Sequence, residues 1–322
     1  MNEHAVEVVQ LGDFRPHPNA DNLALVDVFG YTVVVRNSEW GPGDLAAYVP
    51  PDSIVPNAPE YSFLDGHLRI RAKKLRGIIS FGMLVPAPAG AAVGRNVAEQ
   101  LGITHYEPPL SATTGGNDET CPPGFTDSTF DIENLRRYPG VIMDGTPVQV
   151  TEKIHGACGR FTWRADRLWA GSRNAWKKPD ESCLWWRVVE AVPQIELFCR
   201  THPGKVLYGE VFGQVQALKY GSPKGVRFAA FDASHGDGSF VSAKHASAMF
   251  DSCALPRAPL LAREMPYSFD SVAELAEGDS MVAGADHVRE GCVVKPLDEM
   301  YSAQIGRVIL KCIGGGYLLL KG

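Results

Sequence analysis

Short apolar and β-branched runs, cut off from one another by turn residues, fill this chain from residue 1 to about 104, and that rhythm suits a small β-barrel. Residues 5–11, 24–29, 31–36 and 45–49 are the clearest of these runs. Gly30, the stretch Gly41-Pro42-Gly43-Asp44 and, further on, Asp65-Gly66 punctuate the segment. The chain has 322 residues, comfortable for two domains.

After the first domain, residues 107–126 (EPPLSATTGGNDETCPPGFT) are rich in Pro, Gly and Thr and read as a linker. The predicted organisation is therefore a domain over 1–106, a linker over 107–126 and a second domain over 127–322. In that second domain, helical patterns cover 181–200, 242–253 and 271–277. The last has Asp270 or Ser271 as its predicted N-cap and stops at Gly278. Strand patterns cover 148–152, 159–164, 205–210, 228–231, 291–295 and 308–313. The irregular interleaving predicts an α+β fold rather than a doubly wound sheet.

Composition closes off several classes. No run of about 20 uninterrupted apolar residues predicts a membrane span. Residues 1–7 carry acids and no apolar core of a signal peptide. The seven cysteines include no C-x-x-C pair, which fits reduced thiols and a cytoplasmic location better than a disulfide framework or zinc site. The net charge of −6, taken alone, argues against nucleic-acid binding, so any such binding must rest on local patches. Nothing in the sequence calls for an obligate protein partner.

One patch stands out. In the run from His67 to Arg76, the residues His67, Arg69, Arg71 and Lys73 alternate with Leu68, Ile70 and Ala72. In a strand that alternation puts three cations and a histidine on one face. Such a face suits a phosphate backbone, and equally a solvated strand. The stretch His17-Pro18-Asn19-Ala20-Asp21-Asn22-Leu23, with Lys74-Leu75-Arg76-Gly77 and Ser80-Phe81-Gly82-Met83-Leu84, resembles the OB-fold tRNA-binding domains attached to some synthetases. OB folds commonly hold nucleic acid on a barrel face.

The chemistry centres on Thr151-Glu152-Lys153-Ile154-His155-Gly156. A lysine amine attacks phosphorus only when neutral, a state reached by desolvation or by neighbouring cations. The spacing K-x-x-G alone is weak. Downstream, in order, follow Gly171-Ser172-Arg173-Asn174, Leu207-Tyr208-Gly209-Glu210-Val211-Phe212-Gly213, Phe228-Ala229-Ala230-Phe231-Asp232, Glu290-Gly291-Cys292-Val293-Val294-Lys295 and Val308-Ile309-Leu310-Lys311. This ordered set resembles the motifs of the covalent nucleotidyltransferase superfamily of DNA ligases, RNA ligases and mRNA capping enzymes. His155 before the motif glycine, where DNA ligases and capping enzymes carry Asp, resembles the RNA ligase 2-like group. Only residues 312–322 follow Lys311, which leaves no room in this sequence for the C-terminal OB domain of those enzymes. With the OB-like segment first, Asp131-Ile132-Glu133-Asn134 before the lysine and the tail Gly316-Tyr317-Leu318-Leu319-Leu320-Lys321, the chain resembles the Deinococcus-type RNA ligases.

That resemblance implies an N-terminal OB-type β-barrel followed by a nucleotidyltransferase domain of antiparallel sheets with flanking helices. It implies ATP with Mg²⁺ or Mn²⁺, and RNA ends, in particular nicked duplexes with a ribonucleotide 3′-OH, as substrate. By the same resemblance Lys153 is the nucleophile. Lys295 and Lys311 meet the α-phosphate and help keep the amine neutral. Glu290 and Glu210 are metal carboxylates, Glu210 also facing the ribose. Glu152 orients adenine, and Phe231, or Phe228, stacks on it. Arg173 contacts a terminal phosphate, and His155 serves the sealing steps beside an RNA surface of Arg69, Arg71 and Lys73. Relatives often carry a second lysine two residues before the last one; here that position is Ile309, with Arg307 as the candidate substitute. Two other readings share parts of this pattern: a DNA ligase or capping-type guanylyltransferase, and a non-catalytic RNA-binding protein.

Overall fold

The computed structural model describes residues 5–106, 115–126 and 132–320 and divides into two compact units. Asp131 and Lys321 lie outside the described residues. Among the described residues no helix is long and apolar enough to cross a membrane.

The first unit takes in the N-terminal segment to Pro108 together with Gly315–Gly322. Its main strands are β1 (Glu7–Gln10), β2 (Leu23–Val28), β3 (Tyr31–Arg36), β4 (Leu45–Val49), β5 (Ala72–Leu75), β6 (Ile78–Phe81) and β7 (Met83–Pro86). Strand β4 lies between β1 and β7, antiparallel to both. It is buried on both faces: Ala46 and Tyr48 join a core with Val9, Val26 and Val33, while Ala47 and Val49 join another with Val6, Val8 and Val97. Hairpins β2–β3 and β5–β6 turn at Phe29-Gly30 and Arg76-Gly77, all four residues at positive φ, as two-residue hairpin turns require. The loop from His17 is tied to the second hairpin: His17 Nε2 lies 3.2 Å from the Leu75 carbonyl, and Asn19 Nδ2 donates to that of Arg76 at 2.9 Å.

The predicted cationic stripe changes here. Ile70 and Ala72 are buried and Arg71 and Lys73 exposed, as alternation requires, but the regular strand starts only at Ala72. Arg69 turns inward, pairing with Asp52 at 2.6 Å and stacking 3.6 Å from the Tyr106 ring centroid. A guanidinium so engaged covers apolar surface and satisfies a carboxylate instead of facing solvent.

The second unit, Pro109–Gly314, is built on two sheets. The first has the order β8 (Asp118–Glu119), β13 (Trp176–Lys177), β12 (Arg167–Ser172), β11 (Ala157–Arg164), β14 (Val206–Gly213) and β15 (Val226–Ser234). The second runs β9 (Glu133–Asn134), β18 (Leu310–Ile313), β17 (Gly291–Pro296), β10 (Pro147–Glu152) and β16 (Leu260–Pro266). Helices α1 (Leu184–Ala191), α2 (Gln194–Thr201) and α3 (Ala243–Ser252) share a core with the first sheet through Trp185, Phe198, Phe250, Phe161 and Phe228. Helix α4 (Phe269–Leu275) buries Val272 with Val148, Cys292 and Leu310 of the second sheet.

Three sequence expectations shift. The helix predicted over 181–200 breaks into α1 and α2 at Pro193, because proline lacks the N–H that a continuous helix needs. The last predicted helix starts earlier: the Ser268 hydroxyl, not Asp270 or Ser271, caps it by accepting the Ser271 N–H. Within the 107–126 segment, Asp118 and Glu119 pair with Lys177 and Trp176 as an edge strand, and Asp118 takes the Lys177 ammonium at 2.5 Å. Helix α5 (Gly315–Leu320) belongs to the first unit, with Tyr317 buried.

Gly209 shows how tightly β14 and β15 are packed. A Cβ there would meet the Phe228 ring at 2.1 Å and the Ala229 carbonyl at 2.8 Å. Phe228 is 3% exposed and edge-on to Phe161, so its ring has nowhere to retreat. Gly209→Ala is expected to lower unfolding free energy by about 1–3 kcal/mol, the range for overpacking a filled core. Urea denaturation against the wild type checks this.

Candidate active site

The strand β10 carries alternating apolar residues into the second core, with Val148 and Val150 fully buried, and delivers Lys153 just past its end. The Lys153 N–H donates to the Gly291 carbonyl at 2.9 Å, holding the exit of β10 against the start of β17. Three residues on, Gly156 lets this segment cross to the other sheet. A Cβ there would lie 2.2 Å from the Val211 carbonyl and 3.0 Å from Glu210 Cγ, so only glycine permits the approach.

That crossing assembles a compact charged centre. Lys153 Nζ lies 3.0 Å from Glu290 Oε1, and His155 Nδ1 lies 3.1 Å from Glu290 Oε2. One carboxylate thus joins the two side chains that flank Ile154. Burial works to keep Glu290 protonated, but the Lys153 ammonium and the His155 contact prevail and hold it down at about 2. Glu210, reaching the same amine from β14, goes the other way. Burial and the Glu290 charge raise it to about 7 against the pull of Lys153 and a hydrogen bond from the Gly156 N–H.

Lys153 differs from its sequence expectation. Burial does press toward a neutral amine, but the fields of Glu290 and Glu210 outweigh it, and its pKa is raised rather than lowered. Lys295 is committed elsewhere. Its ammonium, 7% exposed, donates to Asp232 Oδ1 and to the Phe231 carbonyl, both at 3.2 Å. Asp232, fully buried, also accepts from Arg307 Nη1 at 2.6 Å, and Arg307 forks onto Glu299. Arg307, the candidate substitute for the second lysine, is thus engaged by two carboxylates. Ile309 is itself buried, at 2% exposure. Lys311 sits half-buried on β18, opposite Val293 and Asn134.

The two phenylalanine candidates separate. The register of β14 with β15 slips between Tyr208↔Asp232 and Gly209↔Ala230, which leaves Phe231 as the extra residue of a β-bulge. The bulge turns Phe231 into a half-buried position bordering two aromatic clusters, while Phe228 is lost to the core. Glu152 is a further adjustment. Its carboxylate is buried and taken by the Ser280 hydroxyl and the Met281 N–H, and its own N–H donates to the Pro259 carbonyl at 2.8 Å. Arg173 follows β12 and is half-buried. It acts with Arg160 on Cys158, whose thiol burial and the neighbouring Glu210 push up to about 12, well away from nucleophilic chemistry. Arg71 and Lys73 belong to the first unit and are not part of this centre.

The sequence reading missed Asp232, Tyr220 and Ser280 as parts of the centre. Asp232 had a signal, since it ends the Phe228–Asp232 element; Tyr220 and Ser280 lie in loops without pattern.

A family model described as RNA ligase matches residues 146–313. The chain belongs to the RNA ligase family. A second model, of an OB-fold domain, matches residues 5–87, so an OB fold precedes the ligase nucleotidyltransferase domain. Solved structures of a Naegleria gruberi RNA ligase have the same fold. The form with PPi is 23% identical over 99% of both chains with a TM-score of 0.84. A variant with ATP and Mn is 23% identical over 98% of both chains at 0.82. Another variant, with AMP and Mn, is 22% identical over 99% of both at 0.84. No curated protein sequence matches this ligase.

The Asp232 network generates a pH prediction. Burial alone would raise its carboxyl, but Lys295 and Arg307 hold it below the ordinary 3.8. A carboxyl depressed in the folded state adds stability above its unfolded pKa and loses it as pH falls through the folded value. Asp232→Asn is expected to cost about 3–5 kcal/mol near pH 7, since it leaves the buried Lys295 without a carboxylate and Arg307 with Glu299 alone. The gap to wild type narrows below pH 3.8, as denaturation midpoints across pH would register.

Proposed function

We propose that this chain is an ATP-dependent RNA ligase that joins 3′-OH to 5′-phosphate ends, in nicked duplexes above all, through lysyl-AMP and RNA-adenylate intermediates. The observation that carries the reading is the Lys153–Glu290 contact, with the Glu210 charge adding to the field at the same amine. The Naegleria gruberi structures that share the fold contain ATP, PPi or AMP, two of them with Mn, which supports the choice of nucleotide and metal.

In the first step Lys153 Nζ bonds to the α-phosphorus of ATP, the bond to the β-phosphate oxygen breaks, and pyrophosphate leaves. The lysine must shed a proton beforehand. In the second step the N–P bond breaks as an RNA 5′-phosphate oxygen takes the AMP. In the third, the 3′-hydroxyl oxygen attacks the activated phosphate, its proton is lost, and AMP departs. All three are transfers at phosphorus, in which positioning and charge neutralisation carry most of the catalysis.

Glu290 and Glu210 fit a hard divalent cation: they are two carboxylates whose charges act on one amine, and burial, with the Glu290 charge, pushes Glu210 up to about 7. Among the described residues no cluster of three or more ligating side chains occurs, so waters and phosphate oxygens would complete the shell, as suits Mg²⁺ or Mn²⁺. Bound there, the cation would offset carboxylate charge and so loosen the grip that keeps Lys153 protonated. Phe231 gives adenine an aromatic face, Glu152 helps orient the base, and Arg173 gives a planar fork for a phosphate. Lys311 supplies positive charge from β18. Lys295, steadied by Asp232, sets a fixed charge beside the Phe231 carbonyl. His155, already on Glu290, serves the later steps.

Incubation with ATP labelled at the α-phosphate plus Mg²⁺ or Mn²⁺, followed by a denaturing gel, tests the first step. Wild type is expected to retain label and Lys153→Ala to lose it entirely. Label taken equally from GTP, or joining of DNA 3′-OH ends as readily as RNA ends, would sink the assignment.

On the OB domain, Arg71 and Lys73 are the exposed cations of the stripe. Replacing both with Ala is expected to weaken RNA binding at low salt. It should also flatten the slope of log K against log salt by roughly 0.7–0.9 for each phosphate no longer neutralised. Binding titrations at several salt concentrations give that slope.

A further inference from the structure

The segment that carries the nucleophile is held at Lys153 itself, whose N–H donates to the Gly291 carbonyl, and is pinned on either side of it. Upstream, the Glu152 carboxylate is held by Ser280 and Met281. Downstream, the His155 N–H donates to the Tyr220 hydroxyl at 2.8 Å. Only Lys153 and Ile154 lie between the pins, and Ile154 is buried in one cluster with Tyr220, Phe212 and Val282.

Tyr220 is built to hold still. It is fully buried, edge-on to His287 with ring centroids 4.6 Å apart and to Phe212 at 5.1 Å. Its φ of 48° is rare for a bulky residue and persists only where the surroundings over-determine it. The next residue, Gly221, packs so closely that an added Cβ would lie 2.4 Å from the Gly284 carbonyl. One nitrogen of Arg227 then joins the two pinning loops, donating to the Tyr220 carbonyl at 2.9 Å and to that of Ala283 at 2.8 Å. The loop gripping Glu152 and the loop gripping His155 are thus one assembly.

We propose that Tyr220 is a positioning residue of the adenylylation step: by holding the His155 amide it sets the turn that brings Lys153 and His155 onto the same Glu290 carboxylate. This rests on Lys153 being the nucleophile. The hydroxyl touches no reacting atom. It acts by fixing where the amine stands when ATP is bound, and a small displacement at that point costs rate far more than affinity.

Tyr220→Phe keeps the ring and its packing but leaves the His155 N–H without its acceptor. The single-turnover rate of enzyme labelling at saturating α-labelled ATP is expected to fall about tenfold, the order expected for losing one well-placed buried hydrogen bond. The ATP concentration giving half that rate should change by less than about twofold, since no group touching the nucleotide is removed. Arg227→Gln, which loosens the joint, is expected to lower the same rate. The double variant should lose less than the product of the two, because both act through one assembly.

A Tyr220→Phe protein that labels at the wild-type rate overturns the proposal, even with a lowered melting temperature. So does one whose maximal rate holds while its ATP requirement rises. If Tyr220→Phe does not fold, Arg227→Gln decides by the same split between rate and half-saturating ATP. An unlabelled wild type would instead remove the lysine nucleophile itself, and with it this inference.

Discussion

Glu290 is the residue on which the rest of the centre depends. Its two oxygens take Lys153 and His155, which belong to one short turn, while its own backbone belongs to the entry of a different strand. A carboxylate so placed does two things. It fixes the direction of the lysine, and it holds that lysine charged. On the proposed mechanism the second is a liability, since the lysine has to attack phosphorus. Binding of nucleotide and cation would then have to rebalance the charges. Glu210, held near neutrality by burial and by Glu290, is the group with most room to change as that happens.

The backbone makes this possible through close approaches. Gly156 brings the lysine segment against β14, and Gly209 admits the Phe228 ring into the space a side chain would fill. One residue pair further along, the bulge leaves Phe231 half-buried and Asp232 inside, where it gathers Lys295 and Arg307. These devices sit on adjacent rungs of the β14–β15 ladder. A change in one is felt by the others, because packed strands shift as units rather than residue by residue.

Much of this is legible in the sequence because it is periodic or locally punctuated. The strand patterns at 148–152, 159–164 and 291–295 coincide with β10, β11 and β17, since alternation against a buried sheet leaves a mark in residue type. The break at Pro193 is equally visible in the sequence, although the helical pattern runs across it, and the cap at Ser268 lies just ahead of the pattern it starts. What could not be read was partnership. Nothing in the neighbourhood of Arg69 announces Asp52 and Tyr106, and nothing near Arg307 announces Asp232 and Glu299. Each is set by residues distant in sequence or in another element, and a cation looks the same in a sequence whether it faces solvent, phosphate or a buried acid. Tyr220 is the extreme case: a residue in an unpatterned loop whose importance lies in one hydroxyl and one amide.

The contrast between the two lysines follows from the same physics. Lys153 and Lys295 are both ammonium groups held by carboxylates, yet their surroundings differ in kind. Lys295 is sealed, and its partner Asp232 also holds Arg307, so its position is fixed. Lys153 is a quarter exposed, and its partners are acids of a type a divalent cation can draw on. A buried ion pair whose acid has a second cation is a frame, whereas one whose acids can be taken by an incoming cation is a switch. The fold keeps the two apart by assigning the frame to the interior of the β15–β17 junction and the switch to the turn where the two sheets meet.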